Sequence, residues 1–233
     1  MPDEIDKTEL LRESSQRLVR TVDSLPDAAF RGPSGLPDWT RAHVVAHLTL
    51  NAEGLAGALT GLVQDEPTPM YRSQQARDED VDRLAAAEPS ELRDRLLGAT
   101  TGFADAMAAV PEDAWGTEIE RVPGGPTFRA GAVPGMRLRE LEIHHADLDA
   151  GYTRADWTPA FATLLLDSMA KREAWTEPFL ARPTDVEGTW TFGLGGRTTV
   201  TGTAADLGWW LTGRGSGEGL TSDIGKLPGI GAW

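Results

Sequence analysis

Asp38-Trp39-Thr40-Arg41-Ala42-His43-Val44-Val45-Ala46-His47-Leu48 opens the stretch on which the fold turns. From Arg41 the chain continues rich in Ala, Val and Leu to residue 62 without a proline, which predicts one long helix over 41–62. Asp38 or Thr40 can accept the free N–H groups of its first turn. Two of the four histidines, His43 and His47, lie on this helix, and the other two, His144 and His145, stand in a distant second segment. That segment reads Arg139-Glu140-Leu141-Glu142-Ile143-His144-His145-Ala146-Asp147-Leu148, inside a helix predicted over 133–150 with Gly151 as its C-cap.

Glu140 and His144 are four apart on that helix, so they share a face with Cβ atoms about 5–6 Å apart. A carboxylate and an imidazole so placed can reach one ion, but a stable catalytic zinc site takes three protein ligands. The third can come from His43 or His47 if the two helices pack antiparallel in a bundle. The result is a His/His/Glu set with an open fourth position, suited to a catalytic Zn²⁺ rather than a structural one. Spacing does not choose between His43 and His47, and a Glu-x-x-x-His pair also occurs on helices that bind nothing. His145, in register with Leu138, Leu141 and Leu148, reads as a core or boundary histidine. Glu142 and Arg139 are expected on a solvated face. Asp147 can accept a hydrogen bond from the His144 ring, or be a surface carboxylate.

Outward from these segments, residues 4–24 read as a first helix with Leu10, Leu11, Leu18 and Val22 near helical spacing. Helices are also expected over 73–87 and, amphipathic, over 89–110. Residues 117–130, with Pro123-Gly124-Gly125-Pro126, read as a hairpin or ordered loop. A helix over 156–175 follows. Beyond Pro178 the residues 189–192 and 198–201 read as strands joined by a turn at Gly193-Leu194-Gly195-Gly196, with a short helix over 203–211. The expected class is therefore α+β. A four-helix bundle spans residues 1–155, and residues 156–233 hold a linking helix and a small α+β domain. Trp190, Trp209 and Trp210 are expected to pack that domain's core.

Composition narrows the function. The 233 residues carry 22 Lys+Arg against 36 Asp+Glu, a net charge of −14, which argues against a nucleic-acid or anionic-membrane partner. No apolar run approaches the ~18 residues of a membrane span. The acidic start, Met1-Pro2-Asp3-Glu4-Ile5-Asp6, lacks a hydrophobic signal core, so the expected location is the cytoplasm. No exposed apolar stripe is evident, which fits a monomer. There is no cysteine, which excludes disulfides, thiolate metal sites and a catalytic thiol of the chain's own.

The two histidine segments resemble the metal-binding motifs of the mycothiol-dependent maleylpyruvate isomerases, within the wider DinB-like metalloproteins. Thr68-Pro69-Met70-Tyr71 followed by Ala76-Arg77, Asn51, and Gly213-Arg214-Gly215-Ser216 extend the match in order and spacing along nearly the whole chain. The resemblance implies that His47, rather than His43, joins Glu140 and His144 as the Zn²⁺ ligands. It implies a DinB-like bundle carrying the metal and a sterol-carrier-like C-terminal domain packed over the site. The implied cofactors are Zn²⁺ and mycothiol, a small thiol that would supply the sulfur the chain lacks. Its thiolate adds to the electron-poor double bond of maleylpyruvate, the resulting single bond rotates, and elimination returns fumarylpyruvate. Such a substrate carries two carboxylates, and Arg77 and Arg214 match family arginines that could hold them. The alternatives are a mycothiol S-transferase, in which the adduct is released, and a non-catalytic metal- or ligand-binding protein.

Overall fold

The computed structural model describes residues 7–172 and 175–230. The expected helical start at 4–6 and residues 173–174 of the helix expected over 156–175 lie outside the described residues, as does the acidic stretch 1–6. The chain divides into two compact units, Glu4–Gly151 and Tyr152–Trp233. No described helix is long and apolar enough to cross a membrane.

In the N-terminal unit, α1 (Lys7–Ser24), α2 (Arg41–Val63), α4 (Pro89–Ala109) and α5 (Val133–Asp147) form the bundle, and α3 (Gln74–Ala85) packs against α2. The helix α2 is its central element. Val44, Val45, Leu48, Leu55 and Leu59 are all fully buried along it, so it is apolar around most of its circumference, as an enclosed helix must be. Thr40 caps it and the His43 side chain closes the capping box. Leu18 and Val22 of α1, Leu92 and Leu96 of α4, and Leu138 and Leu141 of α5 complete the core.

Gly61 lets α2 be followed by a tight return. A Cβ there would lie 2.6 Å from the Glu66 carbonyl oxygen and 2.9 Å from Thr68 Oγ1, while Glu66 N–H bonds back to the Gly61 carbonyl at 2.8 Å. Glycine to alanine in a helix ordinarily gains about 1 kcal/mol. Here Gly61→Ala is expected to lose about 1–3 kcal/mol, because backbone must move. A urea titration showing a gain would mean that the turn yields freely.

The helix α5 stops earlier than its sequence suggests. Asp149, at φ 52°, leaves the helical path two residues before Gly151, and its carbonyl accepts from Arg41 Nη2 at 2.7 Å. Residues 117–130 form the hairpin, with β1 (Glu118–Glu120) antiparallel to β2 (Thr127–Arg129). Backbone N–H groups of Met70 and Tyr71 donate to the carbonyls of Glu120 and Arg121, tying the 68–72 loop to it.

In the C-terminal unit, α6 (Pro159–Ala170) begins three residues later than expected, because Thr158 caps it and Pro159 occupies its first position. The sheet contains a strand that the sequence reading missed. This strand, β3 (Phe179–Pro183), lies between β4 (Trp190–Phe192) and β5 (Thr198–Gly202), and the short β6 (Thr221–Ser222) flanks β5. The expected β4–β5 hairpin therefore does not form. Instead β3 pairs parallel with β5 and antiparallel with β4. Gly196 sits against the start of β3, where a Cβ would meet the Phe179 nitrogen at 2.4 Å, so the 193–196 loop passes over β3 instead of turning tightly. The helix α7 (Ala204–Leu211) brings Trp210 against Phe179, which stacks on Phe192 with ring centroids 4.8 Å apart.

Candidate metal centre

The bundle brings His47 of α2 to Glu140 and His144 of α5. His47 Nε2 lies 2.8 Å from Glu140 Oε2, and His144 Nε2 lies 3.4 Å from the same oxygen. One ligand atom from each of the three residues falls within 4.8 Å of the others. Two imidazoles and one carboxylate converging on one point form a donor set that fits a borderline divalent cation such as zinc. Both rings are more than nine-tenths buried, whereas Glu140 is a quarter exposed.

Helical spacing supplies the Glu140–His144 pair, and the loop before α2 supports both sides of the site. Its Gly35 N–H donates to the Asp147 carbonyl at 2.7 Å. It also sets the Trp39 ring 5.7 Å from that of His47. Asp147, 1% exposed, holds His144 Nδ1 through Oδ2 at 2.9 Å. In the neutral ring this contact keeps the proton on Nδ1 and leaves Nε2 the lone pair that a metal-binding histidine needs.

The charges follow from these contacts. Burial pushes His47 down to about 4, overriding the raising effect of its Glu140 bond, so the ring is neutral at pH 7. Burial pushes Glu140 up, but the bonds from His144 and His47 outweigh it and hold the carboxyl well below its usual range. Burial pushes His144 down, yet the bonds to Asp147 and Glu140 prevail and raise it.

The remaining candidates separate clearly. His43 Nδ1 is engaged by the Thr40 hydroxyl at 2.7 Å, so this ring serves the helix cap. His145 is buried and bonds Thr21 of α1 through Nε2 at 2.8 Å. Glu142, expected on a solvated face, is instead buried, at 2% exposed. Its carboxylate bonds Ser14 and, at 2.7 Å, Arg17 Nη2. The reason is that α5 packs on α1, which supplies polar partners that no local pattern reveals. Arg139 is half-buried.

Arg77, at the start of α3, reaches the site, with Nη2 3.0 Å from His47 Nδ1. Arg72, its nearest rival in sequence, is exposed and paired with Asp80. Arg214 belongs to the C-terminal unit, between Gly213 at φ 75° and Gly215 at φ 67°. Its guanidinium lies 5.7 Å from the Trp209 ring centroid and donates to the Thr212 carbonyl at 3.0 Å.

Arg137 escaped the sequence reading. It is 1% exposed, and its Nη1 donates to the Leu48 carbonyl and to Asn51 Oδ1, each at 2.8 Å. Burial lowers it to about 10, against the opposing influence of Glu140. Its place one turn before Glu140 was the available signal, though a cation in a helix ordinarily reads as a surface residue.

Residues 11–149 match the family model described as the mycothiol maleylpyruvate isomerase N-terminal domain. Two solved structures resemble the whole chain, those of the mycothiol-dependent maleylpyruvate isomerase and of a histidine-to-alanine mutant of it. Each has a TM-score of 0.87 at 28% identity, over 98% of this chain and 96% of the other. No curated protein sequence gives a significant match.

Proposed function

We propose an activity from one premise: the chain belongs to the mycothiol maleylpyruvate isomerase N-terminal domain family. The proposed protein is an enzyme, a mycothiol-dependent isomerase that converts maleylpyruvate to fumarylpyruvate with Zn²⁺ on His47, Glu140 and His144. The observation that carries this reading is the convergence of those three side chains in a chain similar over nearly its full length to the isomerase structures. When bound, zinc would favour the thiolate of a coordinated thiol, and mycothiol would bring the sulfur that a chain without cysteine does not have.

The chain's own groups do the rest. His47, neutral because it is buried, and His144, oriented by Asp147, offer lone pairs to the cation. Glu140 contributes the one negative charge, so a divalent ion there keeps an excess positive charge toward an anionic ligand. With a net charge of −14, the protein needs local cations to hold a dicarboxylate. Arg77 and Arg214 are proposed to fill that role through charge-assisted hydrogen bonds. The same reading has the enzyme acting as a monomer in the cytoplasm.

Absorbance of maleylpyruvate, followed with zinc-loaded protein in the presence and absence of mycothiol, tests the proposal. Turnover that requires the thiol is expected. Zinc-loaded protein inactive with the thiol present would overturn it. Arg214→Ala is expected to keep zinc and lose roughly 100-fold in kcat/KM, the scale of removing one partner of a buried charged contact. Full activity in this variant would remove Arg214 from the substrate contacts.

A further inference from the structure

We propose that Arg77 and a metal ion compete for His47, so that a carboxylate which draws Arg77 away strengthens metal binding. The inference rests on the zinc reading above and adds a coupling to it.

The argument starts from hydrogen-bond chemistry. A guanidinium has only N–H groups to offer, so at 3.0 Å from Arg77 Nη2 the His47 Nδ1 must be the acceptor. In the neutral ring the proton then sits on Nε2, where it donates to Glu140 Oε2 at 2.8 Å. The two contacts together select one tautomer. A metal ligated at Nε2 needs the lone pair that this proton occupies, so the proton relocates to Nδ1 with no net release. An Nδ1–H would then face the Arg77 N–H, donor against donor, and the contact is lost.

Arg77 is not otherwise satisfied. Its Nη1 pairs with Asp78 at 2.7 Å, but its Nε is buried with no hydrogen-bond partner. Once released from His47, it has two N–H groups in need of an acceptor. It borders a cleft of about 240 Å³ between α2, the 68–72 loop and α3, which Tyr71 also lines, together with two carboxylates, Glu53 and Asp80. These are already paired, with Arg95 and with Arg72 and Arg83 respectively. A carboxylate entering there meets a guanidinium that the metal has freed. Because coupling between two binding events is reciprocal, the carboxylate must raise metal affinity by the factor that the metal raises carboxylate affinity. Arg77 is in this respect a positioning residue that reports metal occupancy to the substrate side.

Two measurements test the coupling. Zinc affinity is read by competition with a chromophoric chelator, in the whole chain and in Arg77→Met, with and without maleate. The wild type is expected to bind zinc at least about fivefold more tightly with maleate, and Arg77→Met to bind about tenfold more tightly than wild type without it, showing no maleate effect. Loss of a nearby positive charge also favours zinc, so the maleate response decides. An equal maleate effect in both proteins overturns the coupling and leaves the zinc site standing. Absence of zinc binding in both removes the site and the coupling together. The second measurement needs no variant: long-range ¹H–¹⁵N spectra of metal-free wild type should show His47 protonated at Nε2, moving to Nδ1 with zinc. Protonation at Nδ1 in the metal-free protein overturns the proposal whatever the metal does.

Discussion

His47→Ala is expected to leave the purified protein without zinc, while wild type holds about one per chain. The substitution removes one of three ligands and leaves Glu140 and His144, a pair on a single helix face. Two ligands do not retain zinc against dilution and chelators. Loss of even an outer partner of a ligand typically weakens a site 10- to 100-fold, so loss of a ligand itself should exceed about 100-fold. Metal content by plasma emission, with far-UV circular dichroism to show an intact bundle, provides the check. A folded variant that still carries a full complement of zinc would sink the assignment of His47.

Arg137→Ala is expected to cost about 2–4 kcal/mol of stability. The guanidinium is fully enclosed and spans α5 to α2, donating to the Leu48 carbonyl and Asn51 Oδ1. It also lies 5.9 Å from the centroid of the Phe103 ring of α4. Alanine leaves Asn51 Oδ1 buried without this donor, at about 1–3 kcal/mol, and opens a cavity beside it. It also takes a second donor from the Leu48 carbonyl, which keeps its helical N–H within α2. Removal of Nη2, which is buried without a partner among the described residues, offsets part of that loss. Against a domain stability of roughly 5–15 kcal/mol, this is a large fraction. The urea midpoint of the N-terminal unit would record it. A loss below about 1 kcal/mol would show that water replaces the guanidinium without cost.

These two residues mark how far the sequence could be read. The long helix was legible because Thr40 and a proline-free apolar run are local signals, and Glu140 with His144 because four residues make one turn. The choice between His43 and His47 depends on which ring α5 meets, and that is fixed by packing between helices. The ring of His43 turns back to Thr40 instead. Glu142 and Arg137 were invisible for the same reason, since the partners of a buried charge come from other helices. In the C-terminal unit, β3 carries Pro183 and an arginine in a run of five, so its propensity is weak. Its central place comes from pairing with strands on both sides, which no window of sequence contains. The hairpin of β1 and β2, by contrast, was legible from its Pro-Gly-Gly-Pro tip.

The ligands of the candidate centre also bear on how the bundle comes apart. His47 and Glu140 are 93 residues apart in sequence. Closing a flexible loop of that length costs roughly 4 kcal/mol of chain entropy, from 1.5RT ln n. Any cation held by both residues ties that loop shut in every state in which it stays bound, much as a disulfide would in a chain that has none. A centre placed for chemistry is thereby also a cross-link. The temperature at which the N-terminal unit melts should accordingly depend on how much metal is in the solution.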